Sequence, residues 1–121
     1  MQIKNLIKME NKKAGDLCFI FCTDDFLLDI NKKHLNHDYY TDVITFDYTV
    51  NDVISGDIFI SLQRVEENAG KFGVSFAHEL SRIIYHGLLH LCGYNDQSND
   101  EKRAMSEKED FYLNTLSIIM K

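Results

Sequence analysis

The chain contains no proline and only six glycines in 121 residues, which excludes collagen-like, proline-rich and low-complexity classes. No apolar run approaches the roughly 18 residues that a membrane span needs. The amphipathic start, Met1 to Glu10, lacks a signal-peptide core and a cleavage pattern, so cytoplasm is the expected compartment. Cysteine is scarce and odd in number. Cys18, Cys22 and Cys92 form no C-x-x-C pair, which argues for reduced thiols over a secreted disulfide framework. Cys18 and Cys22 lie in an apolar run and are expected as small buried residues on one strand face. Positive charge is also short: thirteen Lys and Arg against nineteen Asp and Glu give a formal charge of −6. That excludes a nonspecific, whole-surface nucleic-acid binder but leaves room for a local basic groove.

What is present suits one small α+β domain over residues 1–121. The chain is 45% hydrophobic and 26% charged, and at this length it buries roughly two-thirds of its unfolded surface. Ile3, Leu6 and Ile7 mark a short amphipathic helix. Its neighbours Lys4, Lys8, Lys12 and Lys13 form either a solvated face or an RNA-facing patch. Leu17 to Cys22 is a continuous apolar run of strand length, expected to be buried on both faces. Thr23-Asp24-Asp25 reads as a helix start, with Phe26, Leu27 and Ile30 as the buried stripe. Val43 to Tyr48 and Ile54 to Leu62 read as strands joined by a turn at Asn51–Asp52, a hairpin.

Gln63 to Lys71 should form a helix ending at Gly70 or Gly73. Ser75 to Leu91 is the clearest helix, with Leu80, Ile83, Ile84, Leu88 and Leu91 at three- and four-residue spacings and Gly93 as the stop. Ser98 and Glu101 match a capping box. It opens a last helix that carries Ala104, Met105, Phe111, Tyr112 and Leu116.

The chemistry lies in His86-Gly87-Leu88-Leu89-His90-Leu91-Cys92-Gly93-Tyr94-Asn95-Asp96. Residues four apart on a helix sit about 40° apart on one face and about 6 Å apart along the axis, so two imidazoles can converge on one ion. A left-handed Gly93 would reverse the chain and return Asp96 to it. Two imidazoles and one carboxylate leave a fourth position open to water, the pattern of a catalytic zinc site. H-x-x-x-H-x-x-G-x-x-D has the spacing of the metzincin zinc site, H-E-x-x-H-x-x-G-x-x-H, with Asp in the last position. Where a zinc protease has its general-base Glu, this chain has Gly87, which disfavours amide hydrolysis more than phosphodiester cleavage. His34, His37 and His78 have no comparable arrangement and read as ordinary polar residues. Asp57 and Ser61 are candidates for the general base by position alone.

HGLLHLCGYND, preceded by TDVITFDY (Thr41–Tyr48) and SGDIFIS (Ser55–Ser61), resembles the YbeY family of bacterial rRNA maturation factors. The family pattern runs approximately T-[DN]-V-L-S-F, G-D-I, H-G-x-L-H-L-x-G-Y-D-H, then a Met and a Glu, and Met105 and Glu109 fall suitably for that tail. The resemblance covers about residues 17–113. It implies a zincin-like α+β fold, a small mixed sheet packed with helices, and the metal site on the helix ending near Leu91. It also implies a zinc-dependent, single-strand-specific endoribonuclease acting in 16S rRNA 3′-end maturation and late ribosome quality control. The expected partners are ribosomal RNA and the small ribosomal subunit, reached through a ribosomal protein, with neither membrane nor DNA.

The family's metal ligands fall on His86, His90 and Asp96, the last being His in the family pattern. That donor set suits Zn(II) and also Ni(II), Co(II) or Mn(II). A family Arg preceding the T-[DN]-V block is replaced by Leu35, so, if that Arg stabilises phosphate charge, either Lys32, Lys33 or Arg82 substitutes for it or catalysis proceeds without it. The family usually opens with an additional strand, whereas Met1 here is expected in the first helix, so either a shortened start or a lost edge strand is expected. Two alternatives remain: a metzincin-like metallopeptidase, or a non-catalytic ribosome-assembly factor with a structural metal.

Overall fold

The computed structural model describes residues 2–115. The elements are α1 (Gln2–Met9), β1 (Lys13–Cys22), α2 (Asp24–Leu35), β2 (Val43–Asp47), β3 (Val53–Ser61), α3 (Leu62–Phe72), α4 (Phe76–Leu91) and α5 (Asn99–Thr115). The sheet has the order β1-β3-β2, with β1 parallel and β2 antiparallel to β3. It is therefore the small mixed sheet expected, packed with five helices. The hairpin is also present: Val50 and Val53 close around Asn51–Asp52, and Asn51 has φ 55°.

Central β3 alternates strictly. Ile54, Gly56, Ile58 and Ile60 are buried, while Ser55, Asp57 and Phe59 between them are partly covered. Because successive side chains point to opposite faces, the isoleucines form one apolar face, and α4 lies on it. Two glycines set that approach. A Cβ on Gly87 would lie 3.0 Å from Ile58 Cγ2, and one on Gly56 would lie 3.0 Å from Leu91 Cδ2 and 2.4 Å from the Phe46 carbonyl. Helix α4 therefore lies tight against the sheet, with ten of its sixteen residues buried. Leu6 and Ile7 of α1 and Met105 and Tyr112 of α5 complete the core.

Helix ends follow side-chain chemistry. Thr23, Ser61 and Ser75 each accept from a backbone N–H three residues on and cap α2, α3 and α4. Gly73, at φ 67°, ends α3. Ser98 and Glu101 exchange hydrogen bonds at 2.9 and 3.1 Å, the reciprocal capping box that starts α5. Leu116 lies outside the described residues.

Three expectations are corrected. Strand β1 is not buried on both faces: it is an edge strand, alternating between exposed and partly covered residues. Cys18 is accordingly exposed and Cys22 only half-buried. In α2, Leu27 is buried but Phe26 is 50% exposed, because only a narrow face of this helix meets the sheet. Among the described residues, no helix is long and apolar enough to cross a membrane.

Candidate metal centre

The last two turns of α4 place His86 and His90 on one face, ring centroids 4.6 Å apart. Past Leu91 the helix stops in a Schellman turn. Gly93 N–H donates to the His90 carbonyl at 3.0 Å and Tyr94 N–H to the Leu89 carbonyl at 3.0 Å, with Gly93 at φ 106°. The turn folds Asp96 back over the helix end. His86 Nε2 and His90 Nε2 are 3.1 Å apart, and Asp96 Oδ2 lies 3.4 Å from the first and 3.3 Å from the second. Among the described residues these three form the only group placed to hold a metal ion.

Hydrogen bonds on the far side of each ring fix which nitrogen faces inward. His90 Nδ1 donates to the Tyr94 carbonyl at 3.0 Å, so the turn that ends the helix also orients this ring. His86 Nδ1 lies 2.6 Å from Glu109 Oε2 of α5. With both Nδ1 atoms protonated and donating, both Nε2 atoms present lone pairs. Two lone pairs and a carboxylate oxygen then meet with no hydrogen between them, an arrangement that repels itself unless a cation fills it. The spacing fits one: zinc with bonds of about 2.0–2.1 Å in tetrahedral geometry holds its donors about 3.3 Å apart.

Behind the triad runs a chain of charge. Glu109 Oε1 accepts from Arg82 Nη1 at 3.0 Å, and Arg82 also grips buried Glu79 at 2.9 and 2.7 Å. The Glu79 hydrogen bonds, aided by those of Glu109, push the Arg82 guanidinium above its usual value against the opposing effect of burial. Arg82 is thus a brace for Glu109 and not a free phosphate binder. Lys32 lies 3.4 Å from Asp38 and Lys33 3.0 Å from Asp29. Each of the three is thus paired with a carboxylate, and Leu35 itself lines the cleft beside the triad.

A second set of bonds ties the turn to the N-terminus. Tyr94 Oη donates to Glu10 at 2.8 Å, Lys108 Nζ to the same carboxylate at 3.1 Å, and Tyr112 Oη also donates to it. Burial raises the Glu10 carboxyl, but these three donors overcome it and hold it below its ordinary value.

The triad opens into a cleft of about 330 Å³ whose walls include Asn31, Leu35, His37, Tyr39 and Asp42. Burial raises the Asp42 carboxyl despite the nearby charge of Arg82. The two base candidates are not brought to this cleft. Asp57 projects from the sheet face away from α4 into a separate hollow with Gly15 and Cys18. Ser61 is fully buried, accepting from Arg64 N–H at 3.2 Å as the α3 cap and donating to Asp24 at 3.2 Å. His37, read as an ordinary polar residue, does line the cleft; His34 packs edge-on against Phe46. Asp42 was missed because only the fold brings it to His86, although it sits in the quoted TDV block.

A family profile described as Endoribonuclease YbeY matches residues 1–117. The chain belongs to the YbeY endoribonuclease family. Curated members include proteins named Endoribonuclease YbeY from Flavobacterium psychrophilum, 51% identical over 108 residues, and from Bacteroides thetaiotaomicron, 48% identical over 108 residues. Those alignments cover 89% of this chain and 77% and 79% of the two relatives. A solution structure of a Thermotoga maritima protein, 31% identical, superposes with a TM-score of 0.68 over 93% of this chain and 75% of that one. His86 and His90 lie on α4, Asp96 lies beyond its end, and Glu109 of α5 is the partner of His86.

Proposed function

We propose that this protein is a single-domain, zincin-like, zinc-dependent endoribonuclease that cuts single-stranded RNA, with His86, His90 and Asp96 as the metal ligands. The observation that carries this reading is the triangle of donor atoms at 3.1, 3.3 and 3.4 Å, each imidazole oriented by a hydrogen bond behind it. A bound zinc would supply Lewis acidity toward a phosphoryl oxygen and toward the attacking oxygen. The chain's own part is orientation. Glu109 and the Tyr94 carbonyl hold the rings, Arg82 holds Glu109, and the cleft confines the phosphodiester at the triad. Asp42, whose carboxyl burial pushes up, is suited to hold a proton at Oδ in that cleft.

Gly87 weighs against peptide hydrolysis. The position at which a zinc protease has its base points into the sheet here, where even a Cβ meets Ile58. The substrate proposed is the 3′ end of 16S ribosomal RNA on the small subunit, in the cytoplasm. With a charge of −6, the protein approaches RNA through a basic ribosomal protein better than through bare phosphate.

The test uses zinc-loaded protein on a single-stranded RNA carrying the 16S 3′ sequence, beside His86→Ala and His90→Ala, with zinc content measured for each. Cleavage should disappear together with bound zinc. Equal cleavage by all three proteins would point to a contaminating nuclease and overturn the proposal.

A further inference from the structure

Asn31 of α2 is 2% exposed, and its main chain and its side chain each hold one surface loop. Its main-chain carbonyl accepts from His37 N–H at 3.0 Å, and its side-chain Nδ2 donates to the Tyr39 carbonyl at 2.8 Å. Asn36, at φ 56°, turns the chain between them. The loop is thereby clipped to a buried residue. What it displays is a pair of rings: His37 and Tyr39 stack with centroids 5.1 Å apart and planes 19° from parallel, and Tyr39 Oη lies 3.0 Å from His37 Nδ1. Tyr39 is 55% exposed, and both rings line the cleft that holds His86, His90 and Asp96. These rings serve no core.

Lys32 meets this loop at Asp38, 3.4 Å away, but is not among the residues lining the cleft. Among the described residues lining the cleft there is no lysine or arginine, and Arg64, the nearest guanidinium to the loop's Tyr40, is spent on Asp24 at 2.6 Å. With no guanidinium or ammonium group in its lining, the cleft can gain hold on RNA beyond the triad through the bases. An exposed flat ring does this for any unpaired base, and cannot do it for a base enclosed in a duplex.

We infer that the Tyr39–His37 pair is a stacking platform for an unpaired nucleobase beside the phosphate at the metal triad. The inference rests on the ribonuclease reading above and deepens it: the platform supplies binding in the cleft and a preference for single strands, with Leu35 as its apolar neighbour. Its failure is distinguishable from failure of that reading.

The experiment measures kcat and KM for zinc-loaded wild type, Tyr39→Ala and Tyr39→Phe on a short single-stranded RNA. A second RNA carries an abasic ribose beside the cleaved bond, and zinc content is checked in every protein. Tyr39→Ala should raise KM on the order of ten-fold, with the loss on KM and not on kcat. Tyr39→Phe keeps the ring and should keep KM near wild type. The abasic RNA should raise the wild-type KM by the same factor and that of Tyr39→Ala no further. An unchanged KM in Tyr39→Ala, or losses that multiply on the abasic RNA, would overturn the platform while leaving the ribonuclease reading intact. If wild type cleaves nothing, the ribonuclease reading falls, and fluorescence anisotropy of a labelled single strand still decides the platform. Binding that weakens in Tyr39→Ala supports it; absent or Tyr39-independent binding overturns it.

Discussion

Replacing Glu109 with Gln tests the orientation of the metal ligands without emptying the space around them. The wild-type carboxylate faces two donors, His86 Nδ1 at 2.6 Å and Arg82 Nη1 at 3.0 Å. A glutamine offers one acceptor oxygen and one NH2 group, so it can satisfy only one of them. If its oxygen stays on Arg82, its NH2 confronts His86 and drives the ring to the tautomer with hydrogen on Nε2, where the ligand lone pair should be. If its oxygen turns to His86, Arg82 loses a partner but keeps both contacts to Glu79. Loss of a group that orients a metal ligand typically costs 10- to 100-fold in affinity, about 1.4–2.8 kcal/mol. Folding should suffer less than a broken buried ion pair would imply, about 1–3 kcal/mol, because Glu79 still neutralises Arg82. Zinc affinity from competition with a chromogenic chelator, together with thermal melting in excess chelator, separates the two effects. Glu109→Ala offers His86 Nδ1 no acceptor at all, and if it binds zinc as tightly as wild type, the claim that Glu109 sets the His86 tautomer is refuted.

Gly87→Ala should destabilise the protein by about 1 kcal/mol net, because overpacking against a fully buried central strand costs about 1–3 kcal/mol and the gain in helix propensity returns about 1. Urea denaturation would show it, and a stabilised variant would mean that α4 is free to shift off the sheet. Glu10 provides the pH test. Its carboxyl is held below the ordinary 4.5, so the stabilisation it gives is complete above that value and is lost as pH falls through the lowered one. The melting temperature should therefore drop on acidification below about pH 4.5, and Glu10→Gln should be less stable at neutral pH with a shallower acid slope. An unchanged acid slope would place the titrating group elsewhere.

Much of this was legible because it is local. Helix α4, the hairpin and the capping box at Ser98 are each specified by residues within a few positions of one another, and the two imidazoles and Asp96 depend only on helix geometry and one glycine. The failures have the opposite character. The run Leu17–Cys22 looks doubly buried because apolar length says nothing of whether a strand lies at an edge. Asp57 looked close to the metal helix because chain order does not say which sheet face α4 covers; the alternation of Ile54, Ile58 and Ile60 carries that information, since it puts Asp57 on the other face. Arg82 offered a spare positive charge until its partners Glu79 and Glu109 were in place. His37 lacks any sequence spacing that signals a cleft, and only the clip on Asn31 puts it there.

The bonds that finish the metal centre span the chain unevenly in time. A ribosome delivers the N-terminus first, so His86, His90 and Asp96 emerge before Glu109 does. Glu10 meanwhile waits for Tyr94, 84 positions later, and for Tyr112, 102 positions later. A nascent or prematurely terminated product that stops short of residue 109 owns all three ligands but lacks the carboxylate that orients His86. On the proposed zinc reading, tight metal capture requires the chain to extend past residue 109, and shorter products should compete poorly for the cell's zinc.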